Sequence, residues 1–416
     1  MTKNSAKASQ CKTGDAPTRR DRRSSRYAVR EELYTVSSLE RVRDCGRPLG
    51  KSGVIVRLSG DVGSSDAVAG FGGLTTCGSV WACPVCAAKV ANQRQNDIET
   101  VINRHMANGG DVAMLTLTMR HHRGQKLAKL WKEGVSAGWK AATNGAGWRR
   151  DKQDHGVKHY VRVVEVTHGK NGWHVHVHAL LLGENFQDSG KLKQLGQRMF
   201  ARWNMKLQNQ GFSAPIENKG GLKIQRIAPG KEASKALSDY FTKAGMDPDV
   251  KWDATQAEAQ AEAKGARDMA HKVSMEAARS DLKDAKHGNR TPWGILSDLI
   301  KTKDASDKEL WHEYEEASKG KRQIVWSRGC RDEYNLDEEK TDEELAEEDF
   351  DGENIALIEG SDYRAGCKKS SLFPSQLLDA AEDLGRPGID QVLLRYKLSP
   401  SKPVPEGHVI KHRGHF

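Results

Sequence analysis

Nowhere in the 416-residue chain is there a run of about 18 apolar residues, so no segment is built to cross a bilayer as a helix. The first 30 residues also lack the apolar stretch that a secretory signal needs, and the expected location is the cytoplasm, with no membrane partner. Hydrophobic residues make up only 37% of the chain and the mean hydropathy is −0.71. The core must therefore be modest and the surface polar. There are no internal repeats. The seven cysteines are odd in number and unevenly spread, which argues against a secreted disulfide framework.

Charge is what the chain has in quantity. Lys and Arg number 66 against 56 for Asp and Glu, a formal balance of +10. The distribution says more than the total: Arg19-Arg20-Asp21-Arg22-Arg23 is densely basic, whereas 337–353 is densely acidic. Outside that acidic run the chain is distinctly basic, which favours a nucleic-acid partner. Composition divides the chain into a basic, disordered arm (1–32), a Gly- and Cys-rich element (33–95) and a folded unit (96–250). A charged helical linker (251–290), a small helical unit (291–335) and an acidic linker and tail (336–416) follow.

Apolar, β-branched runs predict strands at 112–119, 160–167, 173–182 and 222–227. Helical spacing predicts helices at 97–107, 126–143, 191–208 and 232–243. The turn residues of 168–172 join the second and third strands into a hairpin. The expected class is α+β around an antiparallel sheet, with an N-terminal cysteine element and a C-terminal helical region.

Cys77, Cys83 and Cys86 crowd into ten residues, with Pro84 inside the Cys-x-x-Cys. A tetrahedral Zn²⁺ needs four soft ligands, and Cys45-Gly46 repeats the Cys-Gly arrangement of Cys77-Gly78 upstream. The four are read as a structural zinc site, closed and therefore not catalytic.

In His174-Val175-His176-Val177-His178 the histidines alternate, so on a strand all three share a face. At a rise of roughly 3.3 Å per residue, His174 and His178 lie about 13 Å apart, so one ion takes His176 with one neighbour. Folding the hairpin brings Glu165 opposite this strand, within about one register step of His176. Two imidazoles and a carboxylate suit Mg²⁺ or Mn²⁺ and leave positions open for a phosphate oxygen. His121 and His122, after the first strand, can also approach. Further on, Tyr240 and Lys243 are spaced to share a helix face, where an ammonium favours the phenolate.

An apolar strand, the histidine run continuing as Ala179-Leu180-Leu181, and a downstream helix with Tyr240 and Lys243 resemble, in this order, the three motifs of HUH endonucleases. The similarity is to plasmid rolling-circle replication initiators of the Rep class, actinobacterial type. Cys77 to Lys89, Glu165-Val166-Thr167, Arg290-Thr291-Pro292-Trp293 and Val325-Trp326-Ser327-Arg328-Gly329 agree with it. The resemblance implies a five-stranded antiparallel sheet with flanking helices. It further implies a metal-dependent single-strand endonuclease and strand transferase, with a tyrosine that becomes linked to a 5′ phosphate and frees a 3′ hydroxyl for rolling-circle replication. Tyr240 would be that nucleophile, with Lys243 neutralising phenolate or phosphate. The apolar frame of the motif selects His176 and His178, with Glu165, and leaves His174 the outlying member of the set.

One departure concerns termination: where some members carry a Glu one turn before the tyrosine, this chain has Ala236. Asp239 and Glu232 are the nearby carboxylates, and Tyr160 or a second copy's Tyr240 are other routes. Expected partners are origin DNA, a host helicase and a DNA polymerase, with phosphate contacts from Arg120, Arg123, Lys158 and Arg162. A transposase or relaxase shares the chemistry, although relaxases commonly carry the tyrosine before the histidines. A zinc-dependent, non-catalytic DNA-binding regulator is the alternative of a different class.

Overall fold

The histidine strand lies at the centre of the larger of two antiparallel sheets. A computed structural model describes residues 18–49, 53–227, 289–348 and 350–405. Its helices begin with α1 (Arg19–Val36), α2 (Glu40–Arg43), α3 (Pro84–Ala107) and α4 (Leu127–Lys129), the last running into a π-helical stretch, Leu130–Ser136. They continue as α5 (Ala137–Ala142), α6 (Gly145–Asp154), α7 (Ser189–Asn209), α8 (Pro292–Thr302) and α9 (Ala305–Ser318). The C-terminal helices are α10 (Cys330–Glu333), α11 (Asp342–Glu347), α12 (Gly360–Lys369) and α13 (Phe373–Arg395). The strands are β1 (Val54–Ser59), β2 (Val68–Gly72), β3 (Asp111–Thr118), β4 (Val157–Gly169) and β5 (Gly172–Gly183), then β6 (Leu222–Ile227), β7 (Ile324–Trp326) and β8 (Glu353–Ile358).

Five strands in the order β6-β3-β5-β4-β7 form one antiparallel sheet, as the α+β reading expected. The β4–β5 hairpin reverses between Gly169 and Gly172, which pair. Gly172 takes φ 85°, a setting that costs glycine little and other residues more. Alternation along the hairpin divides its side chains between two layers. Val161, Val163, Leu180 and Leu182 pack with Ile98, Val101 and Ile102 of α3. Val164, Val166, Val177 and Leu181 share the opposite layer with Trp139 of α5 and Trp203 of α7. Burial on both sides explains the continuous apolar run at the end of β5. Toward the hairpin turn, the α3 face changes from valines and leucines to Glu165, His176 and His178.

Three boundaries drawn from composition need correction. The basic arm is helical from Arg19 onward, with Thr18 and Asp21 forming a capping box, while residues 1–17 lie outside the described set. Arg23 of α1 bonds Glu382 at 2.6 Å, Arg19 reaches Glu382 at 3.0 Å and Arg20 reaches Asp383 at 2.7 Å. Charges that look solvated in sequence are thus neutralised by carboxylates more than 350 residues away. The acidic tail is likewise folded: Arg94 holds Glu339 and Asp342 at 3.5 and 3.4 Å, Leu345 and Ala346 are buried, and β8 completes a second sheet, β2-β1-β8. That sheet takes β1 and β2 out of the cysteine element and packs with Phe373, Leu377 and Ile389 of α13. Finally, the small helical unit is not separate, because its β7 adds to the main sheet beside β4.

Candidate metal centres

Strand register assembles the first centre. Glu165 stands directly opposite His176, and His178 pairs with Val163 on one side and Thr116 of β3 on the other. One ligand atom from each of Glu165, His176 and His178 lies within 4.8 Å of the others. His178 is 8% exposed, its Nε2 is 2.9 Å from Glu165 Oε2 and its Nδ1 is 3.2 Å from Thr116 Oγ1. With an ion on Nε2 the ring proton sits on Nδ1, where the threonine oxygen accepts it, the usual outer support of a metal-bound histidine. The donor set, two nitrogens and one hard oxygen, fits a divalent cation and leaves coordination positions open.

His174 is not one of the three grouped ligands, although its ring lies against His176 with centroids 4.0 Å apart. Its ring meets His121, with centroids 4.5 Å apart, and His121 Nδ1 donates to the Asn171 carbonyl at 3.0 Å. Burial first, then the neighbouring His121, pushes His174 down to about 4, against the opposing pull of Glu165. Strand spacing is the reason: His174 lies two residues beyond His176, away from His178. Tyr160 packs on Trp139 and Trp148, with centroids 5.1 and 6.2 Å away, in the layer opposite the centre. Tyr240, Lys243, Glu232, Ala236 and Asp239 lie outside the described residues.

The expected DNA contacts separate as well. Arg120 and Arg123 are exposed on the loop that carries His121, and this loop approaches the hairpin at Gly172. Lys158 lies at the other end of the hairpin and pairs with Glu184 at 2.8 Å. Arg162 is half-buried, in the layer of Tyr160, and burial lowers its pKa. Sequence proximity to the strand therefore does not place those two at its polar corner. Sequence reasoning missed Thr116 and Lys223. Lys223 is exposed on β6, paired with Thr116, which pairs in turn with His178. The three lie in one row across the sheet. Their only advance signal is the β3 register, which no local pattern sets.

The second centre gathers Cys45, Cys77, Cys83 and Cys86, all buried. Cys45 Sγ is 3.6 Å from both Cys83 and Cys86, and Cys77 Sγ is 3.7 Å from Cys86. A tetrahedron with Zn–S bonds of about 2.3 Å has sulfur edges of about 3.8 Å, whereas a disulfide would need about 2.05 Å. The cage has the size of a zinc site. Cys83 caps α3, with Pro84 at its first position, and hydrogen bonds from Cys45 and then Cys77 hold the Cys86 thiol well below its usual range.

Residues 74–210, which span Cys77, Cys83, Cys86 and both strands of the hairpin, match a family model described as replication protein. The chain resembles replication proteins of the Rep type. It is similar to Protein rep of Streptomyces lividans, 28% identical over 350 residues, covering 71% of this chain and 70% of that protein. A Streptomyces cyanogenus protein named neomycin resistance protein is 29% identical over 134 residues, 26% of this chain and 31% of that one. No solved structure matches this chain. No helix among its described residues is long and apolar enough to cross a membrane.

Proposed function

We propose that this protein initiates rolling-circle replication by nicking one DNA strand at an origin. The observation that carries the reading is the grouping of Glu165, His176 and His178 at one corner of the sheet, inside the segment that matches replication proteins. Tyr240 Oη gives up its proton to solvent and attacks the scissile phosphorus, the Tyr–O–P bond forms, and the bond from phosphorus to the 3′ oxygen breaks. The 3′ oxygen takes up a proton and becomes the hydroxyl that a polymerase extends. One phosphodiester replaces another, so the same exchange run backward rejoins the strand.

A divalent cation, Mg²⁺ or Mn²⁺, supplies charge stabilisation at the scissile phosphate when bound. Glu165, His176 and His178 would hold it, and Thr116 keeps the His178 ring in the productive tautomer. Arg120, Arg123 and Lys223 bind the strand backbone, and Lys243 neutralises charge at the tyrosine. The connecting chain is long enough for this assignment. Ile227 pairs with Val112, about 20 Å along β3 from the row of Thr118 and His176. The 13 residues from 227 to 240 span ~20 Å as a helix and ~43 Å extended.

The test is incubation of supercoiled origin plasmid with protein and Mn²⁺, followed by separation of covalent protein–DNA adducts. Wild type should give a 5′-linked adduct and Tyr240→Phe none. Adducts that persist in the Phe variant overturn the assignment of the nucleophile.

A further inference from the structure

Arg30 is the most anomalous charge among the described residues. It lies on α1, is 2% exposed, and its Nε and Nη2 have no hydrogen-bond partner. Among the described residues no carboxylate lies within ion-pair distance of it. Its guanidinium sits over the Tyr27 ring, 4.7 Å from the centroid, and against the backbone of Gly46. A Cβ on Gly46 would fall 2.2 Å from Arg30 Cζ, so the residue after Cys45 is glycine for the sake of this guanidinium as well as for its φ of 80°. The adjacent Cys45 carbonyl accepts a hydrogen bond from Tyr34 at 3.0 Å, which fixes the cysteine beside the arginine. Arg30, Cys45, Gly46 and Cys86 line one cavity of about 290 Å³.

A buried cation without a counter-charge is strongly disfavoured, and one aromatic face compensates only part of that cost. The missing negative charge is next door. Four thiolates around one Zn²⁺ leave two net negative charges, buried and distributed over the sulfurs. We infer that Arg30 is the outer counter-charge of the four-cysteine zinc centre, stabilising its thiolates through space across Gly46. The site thereby carries a fifth residue, from a helix that holds none of the cysteines, and α1 is tied electrostatically to the element that starts α3. The inference rests on zinc occupying the cysteine cage and is independent of the nicking chemistry.

The test uses full-length protein with Zn²⁺ or Co²⁺ in the cage and compares wild type with Arg30→Met and Arg30→Lys. Loss of an outer partner should speed zinc transfer to a chromogenic chelator by about 10- to 100-fold in Arg30→Met, with Arg30→Lys near wild type. Loosened packing alone also speeds release, so the deciding readout is spectroscopic. Removing a nearby cation makes the thiolates easier to oxidise. The sulfur-to-cobalt charge-transfer band should therefore move to longer wavelength in Arg30→Met and stay in place in Arg30→Lys. An unmoved band in Arg30→Met, or the same shift in both variants, overturns the inference. If Arg30→Met does not fold, Arg30→Gln is read by the same criterion. Stabilisation of wild type by millimolar inorganic phosphate, lost in the variant with the cobalt band unchanged, would assign Arg30 to an anion in the cavity and also overturn it.

Discussion

The two centres differ in every respect that decides what a metal can do. At the cysteine cage all four donors are soft, buried and supplied by the protein, so an ion there has no position left for a substrate. At the hairpin corner three mixed donors, two of them only partly buried, leave the ion open on one side. The cage ties the segments at Cys45 and Cys77 to the first turn of α3, and α3 then packs on the sheet face that carries the corner. On the proposed reading, one centre would build the platform and the other would work on it. The sharpest break in that comparison is Cys83→Ser, expected to abolish stoichiometric zinc and lower Tm by about 10 °C or more. Elemental analysis with thermal melts checks it, and a variant that melts like wild type would remove the cage from the folding of the protein.

His176→Ala should do the reverse. Zinc content and Tm should stay near wild type, while nicking at limiting Mn²⁺ falls on the order of 100-fold. Equal nicking rates would mean that the corner is not catalytic. A fall in zinc content would mean that the two centres are not separable.

How far each region was legible follows from how local its determinants are. The β4–β5 hairpin was readable because alternation and turn residues lie within one stretch of sequence, and the turn fixes the register that sets Glu165 against His176. The cysteines were readable because three of them stand within ten residues. Thr116 was not, since it sits in an apolar strand 60 residues upstream and acquires its role only when β3 pairs with β5. The second sheet was the least legible part. β1 and β8 are separated by about 300 residues, and the helices that flank them resemble charged linkers until Arg23 meets Glu382. Charge complementarity at that separation has no local signature.

Thr116 offers a finer test of the open centre. Thr116→Val keeps the β-branched shape and removes the oxygen that receives the His178 Nδ1 proton. Mn²⁺ affinity, read by EPR titration, should weaken about tenfold, with zinc unchanged, and Thr116→Ser should recover most of it. Undiminished affinity in Thr116→Val would leave the threonine a packing residue.

The smallest expected effect concerns the far end of α3. His105 is buried, with Nε2 at 2.9 and 3.0 Å from the carbonyls of Asp111 and Gly183 and Nδ1 at 2.8 Å from the Tyr334 hydroxyl. Nε2–H must donate to the carbonyls, so Nδ1 is the acceptor and the ring is neutral. Burial chiefly lowers the pKa below its ordinary value, against the raising effect of the two carbonyls. A depressed histidine contributes stability that is fully present above the unfolded value of about 6.5 and is lost as pH falls toward the folded one. The stability gap between wild type and His105→Gln should therefore narrow from pH 7.5 to 5, by at most ~1.4 kcal/mol per pH unit. Denaturant melts across that range measure it, and a constant gap would contradict the tautomer assigned here. The cysteine cage, which would hold a metal, stands at one end of α3, and His105 holds the other through three neutral hydrogen bonds. Acid should therefore loosen α3 from its C-terminal end first, in the pH range where His105 takes up its proton.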